Sequence, residues 1–186
     1  MDATAAGTPW TTLWTIGHST RGWEEFEALL RENGIQALVD VRRFAGSRRN
    51  PQFSPEAMAP ALTAAGIRYW PLPALGGRRD PLPDSPNRAW RVDAFRGYAD
   101  YMATADYIRA RDALMEAAAN ERCCVMCAEA VWWRCHRRLI ADDFVARGWR
   151  VLDIMGPGKV EAHAPNPDAV LVDGVLRYPG PQASLL

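Results

Sequence analysis

Cys127-Ala128-Glu129 and, five residues on, Cys135-His136-Arg137-Arg138 form the densest group of reactive side chains in this sequence. A cysteine beside several cations ionises more readily, and the thiolate is the nucleophilic form. Cys127 is therefore a candidate nucleophile, with Glu129, His18 and His136 as candidate acid and base groups. Read as the first turn of a helix, Arg134 to Arg138 exposes unpaired backbone N–H groups and the positive end of the macrodipole, which together attract an anion. Arginines at that end oppose the dipole at a cost of ~0.3–1 kcal/mol each, a conflict that a bound anion or an acid such as Glu129 removes. The plainer reading makes Cys127 a small buried hydrophobe.

A second reactive stretch is Asp40 to Phe53, DVRRFAGSRRNPQF, with four arginines and a single acid. Guanidinium forks match phosphate and carboxylate oxygens two at a time, and Phe44 and Phe53 offer faces on which a base could stack. Asp40 either orients Arg42 or works as a general base. From these stretches, together with His18-Ser19 near the start of the chain, the candidate catalytic residues are Cys127, Glu129, His18, Asp40 and His136. The candidate binding residues are Ser19, Arg42, Arg48, Arg134, Cys135 and Arg137. A zinc site could draw on Cys127, Cys135 and His136 with Glu129 or His18. Adjacent Cys135 and His136 lack the paired spacing of structural zinc sites, however, and the arginines repel a further cation. A redox dithiol at Cys124 and Cys127 would need a loop entering a helix, whereas strand residues three apart face opposite sides. Trp132 and Trp133 read either as a hydrophobic lid or as ordinary packing. His163, in the tail, carries no assigned role.

Scattered residues act together only if the elements between them bring them together. Thr11 to Gly17 reads as a strand, and Trp23 to Asn33 as a helix with Trp23, Phe26, Leu29 and Leu30 at helical spacing. Ile35 to Val41 is a second strand, whose unbroken apolar run suits burial on both faces. Ser54-Pro55-Glu56 starts the next helix with a cap, a proline at its first position and an acid at its positive end. Ile67 to Trp70 is a third strand, followed by a long irregular loop over 71–96 rich in proline. Gly97 to Asn120 is helical, in one or two pieces; Cys123 to Ala128 is a strand, Arg134 to Arg147 a helix and Trp149 to Met155 a fifth strand. Strand and helix alternate, which predicts an α/β fold with a mainly parallel five-stranded sheet and helices on both faces. In such sheets ligands bind beyond the carboxyl ends of the strands. His18-Ser19, Asp40-Val41-Arg42 and Cys127-Ala128-Glu129 all fall there, so they should share one edge.

With 186 residues, 48% apolar and 24% charged, the chain makes one ordinary globular domain that needs no disulfide or metal to fold. Disorder, collagen-like repetition and a disulfide-rich scaffold are excluded. Residues 1–10 are expected to be a flexible N-terminus, 11–155 the α/β domain, and 156–186 a tail with a hairpin signal at 170–178, where Asp173-Gly174 divides two apolar runs. All four cysteines fall within the thirteen positions 123–135, so free thiols, catalysis or metal binding fit them better than structural disulfides. No apolar run reaches the ~18 residues of a membrane span, and residues 1–10 lack the features of a secretion signal, so a cytoplasmic protein is expected. The 22 basic residues are matched by 22 acidic ones, against a broadly basic coat for nucleic acid. All the basic residues but Lys159 are arginine, as a GC-rich genome would give. Their positions, rather than their number, must carry the argument.

Taken in order, TIGHST at 15–20, DVRRFAGSRRNPQF at 40–53, LPALGG at 72–77, GYADYM at 97–102, and CAE with CHRR at 127–138 resemble the family catalogued as domain of unknown function 488. The resemblance spans about residues 13–155. It implies a mixed α/β fold but no established reaction, and it carries the family pattern onto His18, Ser19, Asp40, Arg42, Cys127, Glu129, Cys135, His136 and Arg137. Ala45 stands where relatives often have proline, and Pro71 where many have histidine, so a mechanism using a histidine on the third strand has no residue here. The expectation is an enzyme, a hydrolase or transferase without a cofactor, acting through a cysteine or a carboxylate. Its substrate would be an anionic small molecule or a nucleic-acid-derived ligand bearing phosphate or carboxylate. The alternatives are a non-catalytic nucleotide or nucleic-acid binding module and, third, a Cys/His metal site.

Overall fold

Apolar residues that point both ways from a strand must be covered on both faces, and among the described residues five α-helices do so. The computed structural model describes residues 11–46 and 48–180; the expected flexible N-terminus, 1–10, lies outside the described residues. Strand β1 (Thr12–Gly17) runs parallel to β4 (Cys123–Cys127) on one side and to β5 (Arg150–Gly156) on the other. Beyond β4 lie β2 (Ala37–Asp40) and β3 (Arg68–Pro71), also parallel. The five expected strands are thus all present, and a sixth, β6 (Lys159–Ala162), pairs antiparallel with β5 in the order β3-β2-β4-β1-β5-β6. The turn Gly156-Pro157-Gly158, at the start of the stretch expected to be a tail, reverses the chain onto the sheet edge, so part of that stretch belongs to the sheet.

Alternation along β4 shows how the layers form. Cys123, Val125 and Cys127 enter one core cluster, while Cys124 and Met126 enter the other. The second cluster is closed by α1 (Trp23–Glu32) through Phe26, Leu29 and Leu30, and by α2 (Pro55–Ala64) through Met58 and Leu62. The first is closed by α3 (Asp93–Tyr101), α4 (Ala105–Ala118) and α5 (Arg137–Ala146), with Tyr98, Tyr107, Leu114, Leu139, Ile140 and Phe144 all fully buried. Each such side chain contributes roughly 1.5–3 kcal/mol by leaving water. Ser54 caps α2 as its sequence promised, its Oγ accepting from the Ala57 N–H at 3.3 Å.

Two helices start elsewhere than the sequence reading placed them, α3 at Asp93 rather than Gly97 and α5 at Arg137 rather than Arg134. The helical stretch is two helices, broken at Met102 to Thr104, where Thr104 caps α4 through the Tyr107 N–H. The helix expected from Arg134 begins at Arg137. Trp132–Arg134 form a short 3-10 turn and Cys135 is extended (φ −127°, ψ 149°), so Arg134, Cys135 and His136 precede the helix proper. The irregular loop after β3 is pinned from below: Tyr98 and Tyr101 donate to the Leu75 and Ala74 carbonyls, each at 2.7 Å, and Asp100 accepts from Leu82 N, Ser85 Oγ and Asn87 Nδ2. Past β6 the hairpin β7 (Val170–Val172) and β8 (Val175–Arg177) turns at Asp173-Gly174, and Leu176 and Tyr178 enter the core beside α5. Among the described residues no helix is long and apolar enough to cross a membrane.

Candidate functional site

Parallel register puts the strand ends in line, with Gly17 beside Cys127 and Asp40 beside Met126 and Pro71. The chain leaving β4 then crosses directly over the end of β1. His18 and Ser19 donate their backbone N–H groups to the Cys127 and Ala128 carbonyls at 3.0 and 2.9 Å. A Cβ on Gly17 would collide with the Glu129 carbonyl, so only glycine permits the crossing.

On the β1–β2 side lies a buried polar cluster. Both carboxylate oxygens of Asp40 bind Arg42, accepting from Nε at 2.8 Å and Nη2 at 2.7 Å, and Tyr69 adds its hydroxyl at 2.8 Å. Arg42 also donates to the Phe53 carbonyl at 2.8 Å and faces His18 Nε2 at 3.3 Å. His18 stacks on the Phe53 ring at 4.3 Å, and its Nδ1 meets the Ser19 carbonyl at 2.8 Å, an orientation that Ser19 sustains at φ +50°. Burial pushes the His18 imidazole down to about 4, with Arg42 pushing the same way. His18 is therefore neutral at neutral pH. With Nδ1 donating to Ser19, its Nε2 lone pair is turned to Arg42. Of the two readings of Asp40, orienting Arg42 is the one that its contacts support.

In front of this cluster opens a cavity of about 220 Å³, lined by Arg42, Arg43, Arg78, Arg134, Phe44, Gly77, Cys127, Ala128, Glu129, Cys135 and His136. The sulfur atoms of Cys127 and Cys135 touch across a Cα separation of 7.6 Å. That separation exceeds the roughly 4.4–6.8 Å usual for bridged cysteines, so two facing thiols suit the backbone better than a bridge. His136 Nδ1 stands 3.6 Å from the Cys135 sulfur, and Gly77 leaves room for it: a Cβ there would come within 2.8 Å of the same nitrogen. Burial lowers the His136 imidazole to about 4; Arg137 and Arg79 add to this, and the Val41 and Leu75 carbonyls only partly oppose it. The other two thiols are pushed the opposite way by burial, Cys123 up to about 12 and Cys124 well above its usual range.

Of the expected site residues, Cys127, Glu129, Arg42, Arg134, Cys135 and His136 thus meet in one cavity. His18, Ser19 and Asp40 stand behind it, holding Arg42 and the crossing chain. Arg137 is also set back. It is 1% exposed, donates through Nη2 to the Glu129 and Ala130 carbonyls at 3.0 and 2.9 Å, and leaves Nε and Nη1 without a hydrogen-bond partner. Burial lowers its guanidinium to about 10 against the opposing charge of Asp153. Arg48 is exposed and outside the cavity. Trp132 packs edge-on against His163 at 4.6 Å, while Trp133 stays exposed. The zinc ligand set is not assembled: among the described residues no group of three or more His, Cys, Asp and Glu side chains is placed to hold a metal.

Comparison with known proteins agrees with the motif order. The family described as Domain of unknown function DUF488 matches the chain over residues 22–144. The chain belongs to the DUF488 family. No curated protein and no solved structure matches it. The DUF488 match spans the arginine loop and both halves of the thiol segment, and begins just after His18 and Ser19. Sequence reasoning passed over three contributors to the cavity: Arg43 as a wall residue, Gly77 and Arg78. The run Gly76-Gly77-Arg78-Arg79, following the third strand at the same sheet edge, was the signal that could have found the latter two.

Proposed function

We propose that this protein is an enzyme that binds an anionic substrate, bearing phosphate or carboxylate, at the carboxyl edge of its sheet and attacks it with Cys127. The observation that carries the reading is the single cavity in which the Cys127 and Cys135 sulfurs face Glu129 and four arginines, Arg42, Arg43, Arg78 and Arg134. Guanidinium forks bind the anion's oxygens, and their charge favours thiolate over thiol. The Cys127 thiolate bonds to the electrophilic carbon or phosphorus, the leaving group departs with a proton from Glu129, and water or a second acceptor then releases the product. Neutral His136 orients the Cys135 thiol. The reading sets the protein in the cytoplasm, where thiols are kept reduced. A second reading, binding without turnover, draws on the same arginines and on the Phe44 ring beside them, which would hold an anion whether or not Cys127 reacts.

Alkylation of the reduced protein with iodoacetamide, mapped by mass, tests this. Cys127 should react far faster than Cys123 or Cys124, and inorganic phosphate should slow it. Chromogenic phosphate monoesters and carboxylate-bearing esters should be cleaved by the native protein and not by Cys127→Ala. Phosphate protection without any cleavage would favour the binding reading; slow alkylation indifferent to phosphate would overturn both.

A further inference from the structure

We infer that the ligand of this site is a single-stranded nucleic acid, one nucleotide of which enters the cavity at Cys127 while the strand continues into a second hollow beside it. The inference rests on the reading of the cavity as an anion site. The second hollow, of about 620 Å³, is walled by Arg43, Arg79, Tyr101, Asp106 and Arg109. Arg43 belongs to both walls and its Nη1 donates to the Arg78 carbonyl at 2.8 Å, so the two hollows adjoin across Arg43, and a strand passing over it would follow one track.

Charge along the track is lopsided in a chain whose net charge is zero. Arg42, Arg43, Arg78, Arg79, Arg109 and Arg134 line it, against Glu129 and Asp106. Arg42 is satisfied by Asp40 and Arg109 by Asp106. Among the described residues none of Arg43, Arg78, Arg79 and Arg134 pairs with a carboxylate. One small anion needs one or two such forks; four unneutralised ones spread over two hollows suit a ligand whose charge repeats.

Flat faces accompany the charge. Phe44 is 63% exposed at the cavity mouth, with the Arg43 and Arg78 guanidinium groups 5.4 and 5.7 Å from its ring centre. In the second hollow the Arg79 guanidinium lies 3.6 Å from the Tyr101 ring centre. An exposed ring among cations is what an unstacked base with its adjoining phosphates needs, whereas a duplex keeps its bases stacked within and a base-free polyanion leaves the ring unused.

The test compares binding of a labelled oligothymidylate of about ten nucleotides with binding of thymidine monophosphate over a range of salt. The oligonucleotide should bind at least roughly tenfold tighter, with a steeper salt dependence. Arg79→Ala should weaken it roughly tenfold and lower its log-log salt slope by about 0.7–1, while leaving the mononucleotide unchanged. Arg79→Lys should restore the slope. Equal affinity for the two ligands, or equally tight binding of inorganic polyphosphate or of duplex DNA, overturns the inference. If phosphate still protects Cys127 in that event, the cavity reading stands alone; if it does not, both fall.

Discussion

Two groups of charged side chains, one tied to the tail and one at the strand ends, are finished differently. On the tail side the charges answer one another. His163 bridges Asp153 and Asp142 at 2.9 and 3.0 Å, Tyr178 donates to Asp142 at 2.8 Å, and Asp143 is held by Tyr107, Arg147 and Arg111. On the strand-end side, Asp40 and Arg42 close a comparable pair, but everything in front of them is left open. Among the described residues Arg43, Arg78 and Arg134 have no acid, two thiols face each other, and Arg137 keeps two unpartnered nitrogens. A buried charge without a partner costs several kcal/mol, so the tail network serves the fold. Arg43, Arg78 and Arg134 escape that cost by remaining at solvent, where they are free for a ligand.

Breaking the closed side should have the largest effect. Asp142→Ala strands His163, the Tyr178 hydroxyl and the Asn166 N–H together, and should cost about 3–5 kcal/mol of unfolding free energy in denaturant titration. A loss below ~1 kcal/mol would mean that the network is ornamental and that the contrast with the cavity is false.

The pH dependence separates the two sides by sign. At His163, burial pushes the imidazole down, but hydrogen bonds to Asp142 and Asp153 and their charges outweigh it, so its pKa is raised. The folded state then holds the proton more tightly. Its stabilisation is complete below the unfolded value of 6.5 and is lost as pH rises through the folded pKa. His18 and His136 are lowered from 6.5 to about 4, so between those values the unfolded chain binds more protons and stability falls as pH falls. Thermal melting should therefore peak near pH 6.5, and His163→Gln should flatten the alkaline limb while leaving the acid limb in place. A variant whose alkaline limb persists would clear His163 of that role.

These outcomes also mark what the sequence could tell. The five parallel strands and the convergence of His18, Arg42, Cys127 and Glu129 at one edge were legible, because apolar runs punctuated by polar residues at their carboxyl ends encode both. The start of α5 was not. The sequence reading carried the helix back to Arg134, whereas Cys135 is extended and its sulfur meets Cys127, a tertiary contact that local pattern does not encode. His163 looked idle, because a residue that approaches Asp142 and Asp153 from the tail announces nothing in local pattern. Arg78 was lost in a stretch read only as irregular, although Tyr98 and Tyr101 tie that stretch down.

Within the strand-end cluster a milder change probes how firmly Arg42 is held. Tyr69→Phe removes one hydrogen bond from Asp40 and nothing else of substance, so it should cost about 1 kcal/mol. Because Asp40 keeps both contacts to Arg42, phosphate protection of Cys127 should survive; its loss would show that the aim of Arg42 depends on Tyr69.

The smallest stability effect is the most telling. Arg78→Ala combined with Arg134→Ala removes two exposed side chains that make no ion pair among the described residues, so unfolding free energy should move by no more than about 0.5 kcal/mol. The difference should emerge only with ligand present. A ligand bound to the native state alone raises stability with its concentration, by about 2.7 kcal/mol at a hundred times its dissociation constant. Added phosphate should therefore lift the melting temperature of the native protein and leave that of the double variant nearly still. If the double variant is instead destabilised as much as Tyr69→Phe, the arginines at the cavity mouth serve the fold after all, and openness there no longer distinguishes a binding surface from a structural one.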